Sequence, residues 1–311
     1  MKFFKNALSF FLLLFLFNPH LVLAHQEKVK LHNKSIKAAA ALVPLEYQKE
    51  VLENLKKAGR NFRQLIAAIE NTSPEQREAI GFLIANMPRK DLKELKADFL
   101  VEDVRLAYQS LNESSWSKNI SKDIFLNDVL PYASINEHRD NWRKDFHDRF
   151  IGLAQQAKNI DEAVVLLNRY VFDSLQVVYH ATKRLKPEQS PYESMRAHYA
   201  SCTGLSVLLT DALRSVGIPA RIAGIALWPD QSGNHTWVEI WDGTWHYIGA
   251  GESTKLDHAW FTQRAAQTDL NHPIYATSFK KTGLFFPMRW ALHQKTVFAV
   301  NVTEQYMKPK K

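Results

Sequence analysis

The chain has 311 residues, 46% hydrophobic and 23% charged, a balance that fits a globular protein and excludes long disorder, collagen and a coiled-coil rod. Its 11 glycines and 12 prolines are too few for a turn-dense β-sandwich or a Gly-rich nucleotide-binding sheet. A single cysteine rules out an intrachain disulfide and a thiolate zinc cage. The net charge of +8 is spread along the sequence and reads as a solvated surface, so no nucleic-acid partner is expected.

Lys2 and Lys5 precede an apolar run of 11 residues, Ala7 to Phe17, which is followed by Asn18-Pro19 and then Val22-Leu23-Ala24. A basic start, a short apolar stretch and small residues at the −3 and −1 positions make an export signal. The run is shorter than the roughly 20 residues needed to span a bilayer. The pattern predicts a leader over 1–24 and a mature chain from His25. That chain is expected to be periplasmic or extracellular, without stable membrane insertion. No cysteine stands at the cleavage point, which excludes a lipoprotein.

Residues 36–185 read as helices. Between Glu46 and Glu70, Leu52, Leu55, Ala58, Phe62, Leu65 and Ile66 form one apolar stripe at helical spacing. Ser73-Pro74-Glu75-Gln76 predicts a helix start with Ser73 as N-cap and Gln76 completing a capping box. Further helical patterns cover 90–111, 141–157 and 161–181. After Pro187 a helix over 203–215 is followed by extended runs at 219–227, 235–241, 245–248 and 296–303. Asp242-Gly243 between two alternating runs predicts a hairpin. The reading is α+β, a helical N-terminal region over 25–185 leading into a mixed region over 186–311.

Two residues in the second region can carry chemistry. Cys202 opens a helix whose apolar face is Leu205, Leu208, Leu209, Ala212, Leu213 and Val216. Ser201 is placed to cap that helix and Gly217 to stop it. A thiol in the first helical turn sits at the positive end of the dipole, which favours the thiolate a nucleophile needs. The ordinary alternative is a buried structural cysteine. His235 begins the strand His235-Thr-Trp-Val-Glu-Ile-Trp241, which places His235, Trp237 and Glu239 on one face and Thr236, Val238 and Ile240 on the other. Such a histidine can serve as the base for a cysteine.

The string from Cys202 through Leu213-Arg-Ser-Val-Gly-Ile-Pro-Ala-Arg221, followed by His235-Thr-Trp-Val-Glu239, resembles the core of the transglutaminase-like superfamily over about residues 190–261. The resemblance implies a papain-like core of a helix packed on an antiparallel sheet, with Cys202 as nucleophile, His235 as base and a protein or peptide as substrate. It implies acyl transfer at an amide bond through a thioester, with hydrolysis favoured over cross-linking and no cofactor required. One position departs from the pattern. Where the family places the histidine-orienting Asp, this chain has Gly249, and Glu252 stands three residues on. A two-residue Asp242-Gly243 turn would pair His235 with Ala250 and put Glu252 on the histidine's face, about 7–8 Å away between backbones. Glu252 is therefore expected as the third catalytic residue.

The Cys202 backbone N–H is the natural first donor to an oxyanion. The polar and aromatic cluster from Leu130 to Glu137 with Trp142 and Arg143 is the candidate for a second, although capping and core packing explain it equally well. Trp228, Trp237, Trp241, Trp245 and Trp260 read mostly as core, with one available to floor a substrate groove. The rival from another class is a non-catalytic binding protein that keeps the fold, which Gly249 supports. A zinc hydrolase is a distant third, since no His-Glu-x-x-His or comparable ligand pair is present.

Overall fold

The computed structural model describes residues 19–307, so the expected leader falls mostly outside the described residues. None of the described helices is long and apolar enough to cross a membrane. The first described helix, Pro19–Ala40, leads into a set of short helices. The stripe expected as one helix over 46–70 is two, Leu45–Lys57 and Phe62–Asn71, parted by a 3-10 turn at Gly59–Asn61. Both segments still turn the same stripe inward, with Leu55, Ala58 and Leu65 buried. The pattern at 90–111 is likewise split, into Arg89–Glu94 and Ala97–Glu113.

The capping box expected at Ser73 does not form. The first turn there closes as a 3-10 helix, Pro74–Gln76, with the Gln76 N–H on the Ser73 carbonyl, before the helix Arg77–Asn86. A capping box forms instead at Ser190 and Glu193, opening the helix Pro191–Ala197.

Two apolar cores follow from this arrangement. The first gathers side chains between Ile36 and Ala133 from the early helices. The second joins the helices Arg143–Ala154 and Ile160–Leu175 to the Cys202–Ser215 helix and to the sheet. Between the cores runs the segment 125–135, which includes a π-helical turn, Phe125–Val129. Its carbonyls face inward and need donors, because a buried unpaired carbonyl is costly. Two buried arginines supply them. Arg143 reaches the carbonyls of Val129, Leu130 and Pro131 and pairs with Asp103 at 2.6 Å, and Arg214 reaches those of Asp128, Pro131 and Ala133. The cluster considered for the oxyanion is therefore buried structure. Tyr132, Trp142 and Arg143 are at most 2% exposed, and the Trp142 indole donates to the Tyr132 carbonyl.

The sheet is antiparallel throughout, in the order β5-β4-β3-β6-β8-β7. Its strands are β3 Ala220–Ile225, β4 His235–Trp241, β5 Trp245–Ile248, β6 Ile274–Ser278, β7 Leu284–Phe285 and β8 Phe298–Asn301. A separate parallel pair, β1 Val178–Tyr179 with β2 Tyr199–Ala200, precedes the Cys202 helix. β6 and β7 are additions to the expected strands, and β6 lies between β3 and β8. The predicted α+β class, a helix packed on an antiparallel sheet, is what the chain adopts. One sheet face carries Ala220, Val238, Ile240 and Ile248 against the Cys202 helix. The other carries Ala223, Ile225, Trp237 and Tyr247 against Trp228, Phe261 and Tyr306.

Every residue of the Cys202 helix from Thr203 to Ser215 is buried. Gly217 ends it with φ +79°, and a Cβ there would lie 2.7 Å from the Ser110 carbonyl oxygen. Gly217→Ala adds left-handed strain to a backbone clash, and is expected to cost about 2–4 kcal/mol in urea unfolding; a loss below about 0.5 kcal/mol would contradict this close approach.

Asp211, also on this helix, is 0% exposed and neither carboxyl oxygen has a partner. Burial raises its pKa well above the ordinary carboxylate value. The folded chain then holds a proton that the unfolded chain gives up near pH 4, so stability falls as pH climbs from there towards the raised pKa. Asp128 acts in the same direction up to about pH 6, where burial has pushed its carboxyl. Asp211→Asn removes one of these linkages. The drop in unfolding free energy between pH 5 and pH 8 should shrink in the variant, and an unchanged drop would show that Asp211 is ionised in the fold.

Candidate active site

The Cys202 helix starts as its sequence dictates. The Ser201 hydroxyl accepts from the Gly204 N–H at 3.0 Å and donates to the Pro187 carbonyl at 2.6 Å, fixing the cap from both sides. Cys202 itself is half-buried. On β4, alternation places His235 and Trp237 on the aromatic face and Thr236 towards the helix, as the sequence implies. The next residues of the two motifs meet, with the Thr236 hydroxyl donating to the Thr203 hydroxyl at 3.1 Å. That bond ties the first turn of the helix to the first residues of the strand, one residue along from Cys202 and one from His235. No hydrogen bond joins the Cys202 thiol to the imidazole, a separation common in unliganded sites.

His235 is 6% exposed and walled by aromatic rings. Its ring centroid lies 4.8 Å from that of Trp260, 5.0 Å from Phe261 and 5.9 Å from Trp237. Nε2 is buried without a partner. This burial lowers the imidazole from 6.5 to about 4, because the charged form loses its hydration. The ring is therefore neutral at pH 7 and able to accept a proton.

Beneath His235 a second network fastens β3, β4 and the C-terminal helix Thr303–Met307. Arg221 donates to Glu239 at 2.7 Å, Tyr306 donates to the other oxygen of Glu239 at 2.7 Å, and the Trp237 indole donates to the Tyr306 hydroxyl. Arg221 also stacks on Trp245, 3.5 Å from the ring centroid. Arg221 and Glu239 thus make the buried ion pair that holds the two strands in register.

The route to Glu252 differs from the expected one. The turn holds three residues, Asp242 to Thr244, since Trp241 pairs with Trp245 and Val238 with Ile248. The Asp242 side chain accepts from the Thr244 N–H and stabilises the longer loop. Carried on, this register would set His235 against Gly251 rather than Ala250. β5, however, ends at Ile248 and the chain turns back, with the N–H groups of Glu252 and Ser253 both on the Gly249 carbonyl at 3.2 Å. Asn168, 1% exposed on the helix Ile160–Leu175, clamps this turn. Its amide donates to the carbonyls of Gly249 and Ser253 and accepts from the Gly251 N–H.

The consequence is spatial. A Cβ on Gly249 would lie 3.2 Å from Glu252 Oε2 and 2.9 Å from Ser253 Oγ. The Glu252 carboxylate thus fills the place that a side chain at position 249 would enter. It does not bond His235. Glu252 Oε2 accepts from the Trp260 indole at 2.8 Å, and Trp260 in turn covers the imidazole. Burial raises the Glu252 carboxyl above its ordinary value, against the lowering effect of that hydrogen bond.

Sequence reasoning did not single out Asn168, whose only signal is a polar residue on the buried face of a helix. It also left Trp260 undistinguished among five tryptophans. Trp228 and Trp237 are core, while Trp260 is 56% exposed. Among the described residues, no group of three or more His, Cys, Asp or Glu side chains is arranged to hold a metal ion.

No curated protein matches the chain. A protein of known structure from Cytophaga hutchinsonii, provisionally named a cysteine protease, is 15% identical with a TM-score of 0.27, covering 50% of this chain and 58% of that one. At that distance, and with under two thirds of its length spanned, the likeness carries no weight here. The family model described as the transglutaminase-like superfamily matches residues 146–250. The match begins inside the helical region, at the helix that packs on Cys202's own, and stops two residues short of Glu252. The Cys202 helix, β3 and β4 all lie inside the stretch that matches the transglutaminase-like superfamily.

Proposed function

We propose that this chain is an exported cysteine enzyme that transfers the acyl group of a peptide or side-chain amide to water, with Cys202 as nucleophile, His235 as base and Glu252 as the acid that orients the base. The observation that supports the proposal is the Thr203–Thr236 contact, which joins the residue after a half-buried thiol to the residue after a neutral imidazole. His235 takes the thiol proton as sulfur bonds to the amide carbon. The imidazolium then protonates the departing amine as the C–N bond breaks, leaving a thioester. Water, deprotonated by His235, cleaves the C–S bond, and the proton returns to sulfur. The Cys202 N–H at the helix start supports the developing oxyanion.

Hydrolysis is favoured over cross-linking on the family resemblance of an exported chain, and export itself rests on the leader pattern over 1–24. A scaffold without catalysis is the rival, favoured by Gly249. Iodoacetamide separates the two. Cys202 should be alkylated rapidly near pH 7 in the wild type and at least about tenfold more slowly in a folded His235→Ala variant. Equal rates would remove His235 from the mechanism. Mass spectrometry of the Cys202 adduct formed from a peptide mixture would identify the acyl group.

Glu252→Gln preserves size and removes the charge that would stabilise the imidazolium. Turnover of whatever substrate the adduct reveals should fall by about 2–4 kcal/mol of transition-state stabilisation. A change within about 0.5 kcal/mol, as for a surface carboxylate, would exclude Glu252 as the orienting acid.

A further inference from the structure

The Glu252 carboxylate is held by Trp260, whose ring also lies against His235. Trp260 Nε1 donates to it at 2.8 Å, while His235 Nε2, in a residue 6% exposed, has no partner. The same indole that holds the carboxylate also lies over the imidazole, 4.8 Å between centroids and inclined by 58°. Its outer part is open, at 56% exposure, so a bound molecule can reach the ring. The charged groups around this pocket are few. Glu252 is one, and Arg264 is the other, 5.7 Å from the Trp260 ring and paired with Asp230 at 2.8 Å.

An unpaired buried ring nitrogen is expensive, and a carboxylate brought to it would relieve it. The indole N–H instead keeps the carboxylate engaged with Trp260. We propose that Trp260 is the positioning residue of this site: it withholds Glu252 from His235 in the resting enzyme, and displacement of its exposed ring by an extended peptide substrate passes the carboxylate to Nε2. The inference rests on the reading of Cys202, His235 and Glu252 above. It makes Trp260 both the cover that keeps the base dry and the holder of its acid, so the complete triad forms only on a loaded site.

Trp260→Phe tests this, since phenylalanine keeps a ring over His235 but has no N–H. In the unliganded variant the freed carboxylate should pair with His235. The imidazole midpoint, followed by histidine NMR, should rise by at least one pH unit, and Cys202 alkylation at pH 7 should quicken several-fold. Both gains should vanish in Trp260→Phe/Glu252→Gln. Gains that persist in the double variant would come from hydration of the ring alone and would overturn the proposal. So would a Trp260→Phe protein whose midpoint and alkylation rate match the wild type, or one that reacts more slowly. His235→Ala measured in parallel separates the two levels. If it leaves alkylation unchanged, the Cys202–His235 reading falls and takes this one with it. If it slows alkylation while Trp260→Phe does nothing, only the role of Trp260 falls.

Discussion

Complete burial of the Cys202 helix is the constraint from which the rest of the structure follows. A helix buried from Thr203 to Ser215 cannot leave its polar groups to water, so they are either bonded by protein or, as at Asp211, held neutral. Its apolar side chains take the sheet on one flank and the helices over 143–175 on another. Arg214 turns its charge outward only as far as the carbonyls of the 128–134 segment, and that segment draws in Arg143 and Asp103. The helix can shift neither along its axis nor about it. Its rear end is pinned by the approach of Gly217 to Ser110 and its front by the Ser201 cap. A thiol placed on its first turn is therefore held by the whole domain rather than by a loop, as a reactive group needing sub-ångström placement requires.

The strand side is held with comparable care. The Arg221–Glu239 pair is almost fully removed from water, and such pairs are often no more stabilising than apolar contacts of similar volume. Its value here lies in specificity. With Tyr306 and Trp237 joined to it, only one register of β3 on β4 satisfies all four groups. That register alone brings Thr236 to Thr203 and His235 to the helix start.

How much of this was legible follows from the range of each interaction. The Cys202 helix, its cap and stop, and the two faces of β4 depend on periodicity and neighbours within a few residues, and the sequence states them directly. The predicted capping box at Ser73 failed because the first turn closes as a 3-10 turn, which takes the Gln76 N–H onto the Ser73 carbonyl instead of the Ser73 hydroxyl. β6 pairs with β3 across some fifty residues, and a five-residue segment carries no local trace of such a partner. The place of Glu252 turned on a single residue in the loop before β5, and on Asn168, which reaches the 249–253 turn from a helix more than eighty positions earlier. Long-range polar clamps of this kind leave no periodic signature.

The vacancy at Gly249 has a historical corollary. The space at position 249 is taken by the Glu252 carboxylate, so it holds a side chain from position 249 or from position 252 but not both unmoved. A Cβ at 249 would already lie 2.9 Å from Ser253 Oγ and 3.2 Å from Glu252 Oε2, so an Asp there would crowd a second negative group against the first. A lineage moving between these arrangements cannot accumulate the second acid before discarding the first. It must pass through a form with neither, or change both positions together. Residues 249 and 252 should therefore vary as a pair among relatives of this chain, with each tolerated residue at one dictating the other.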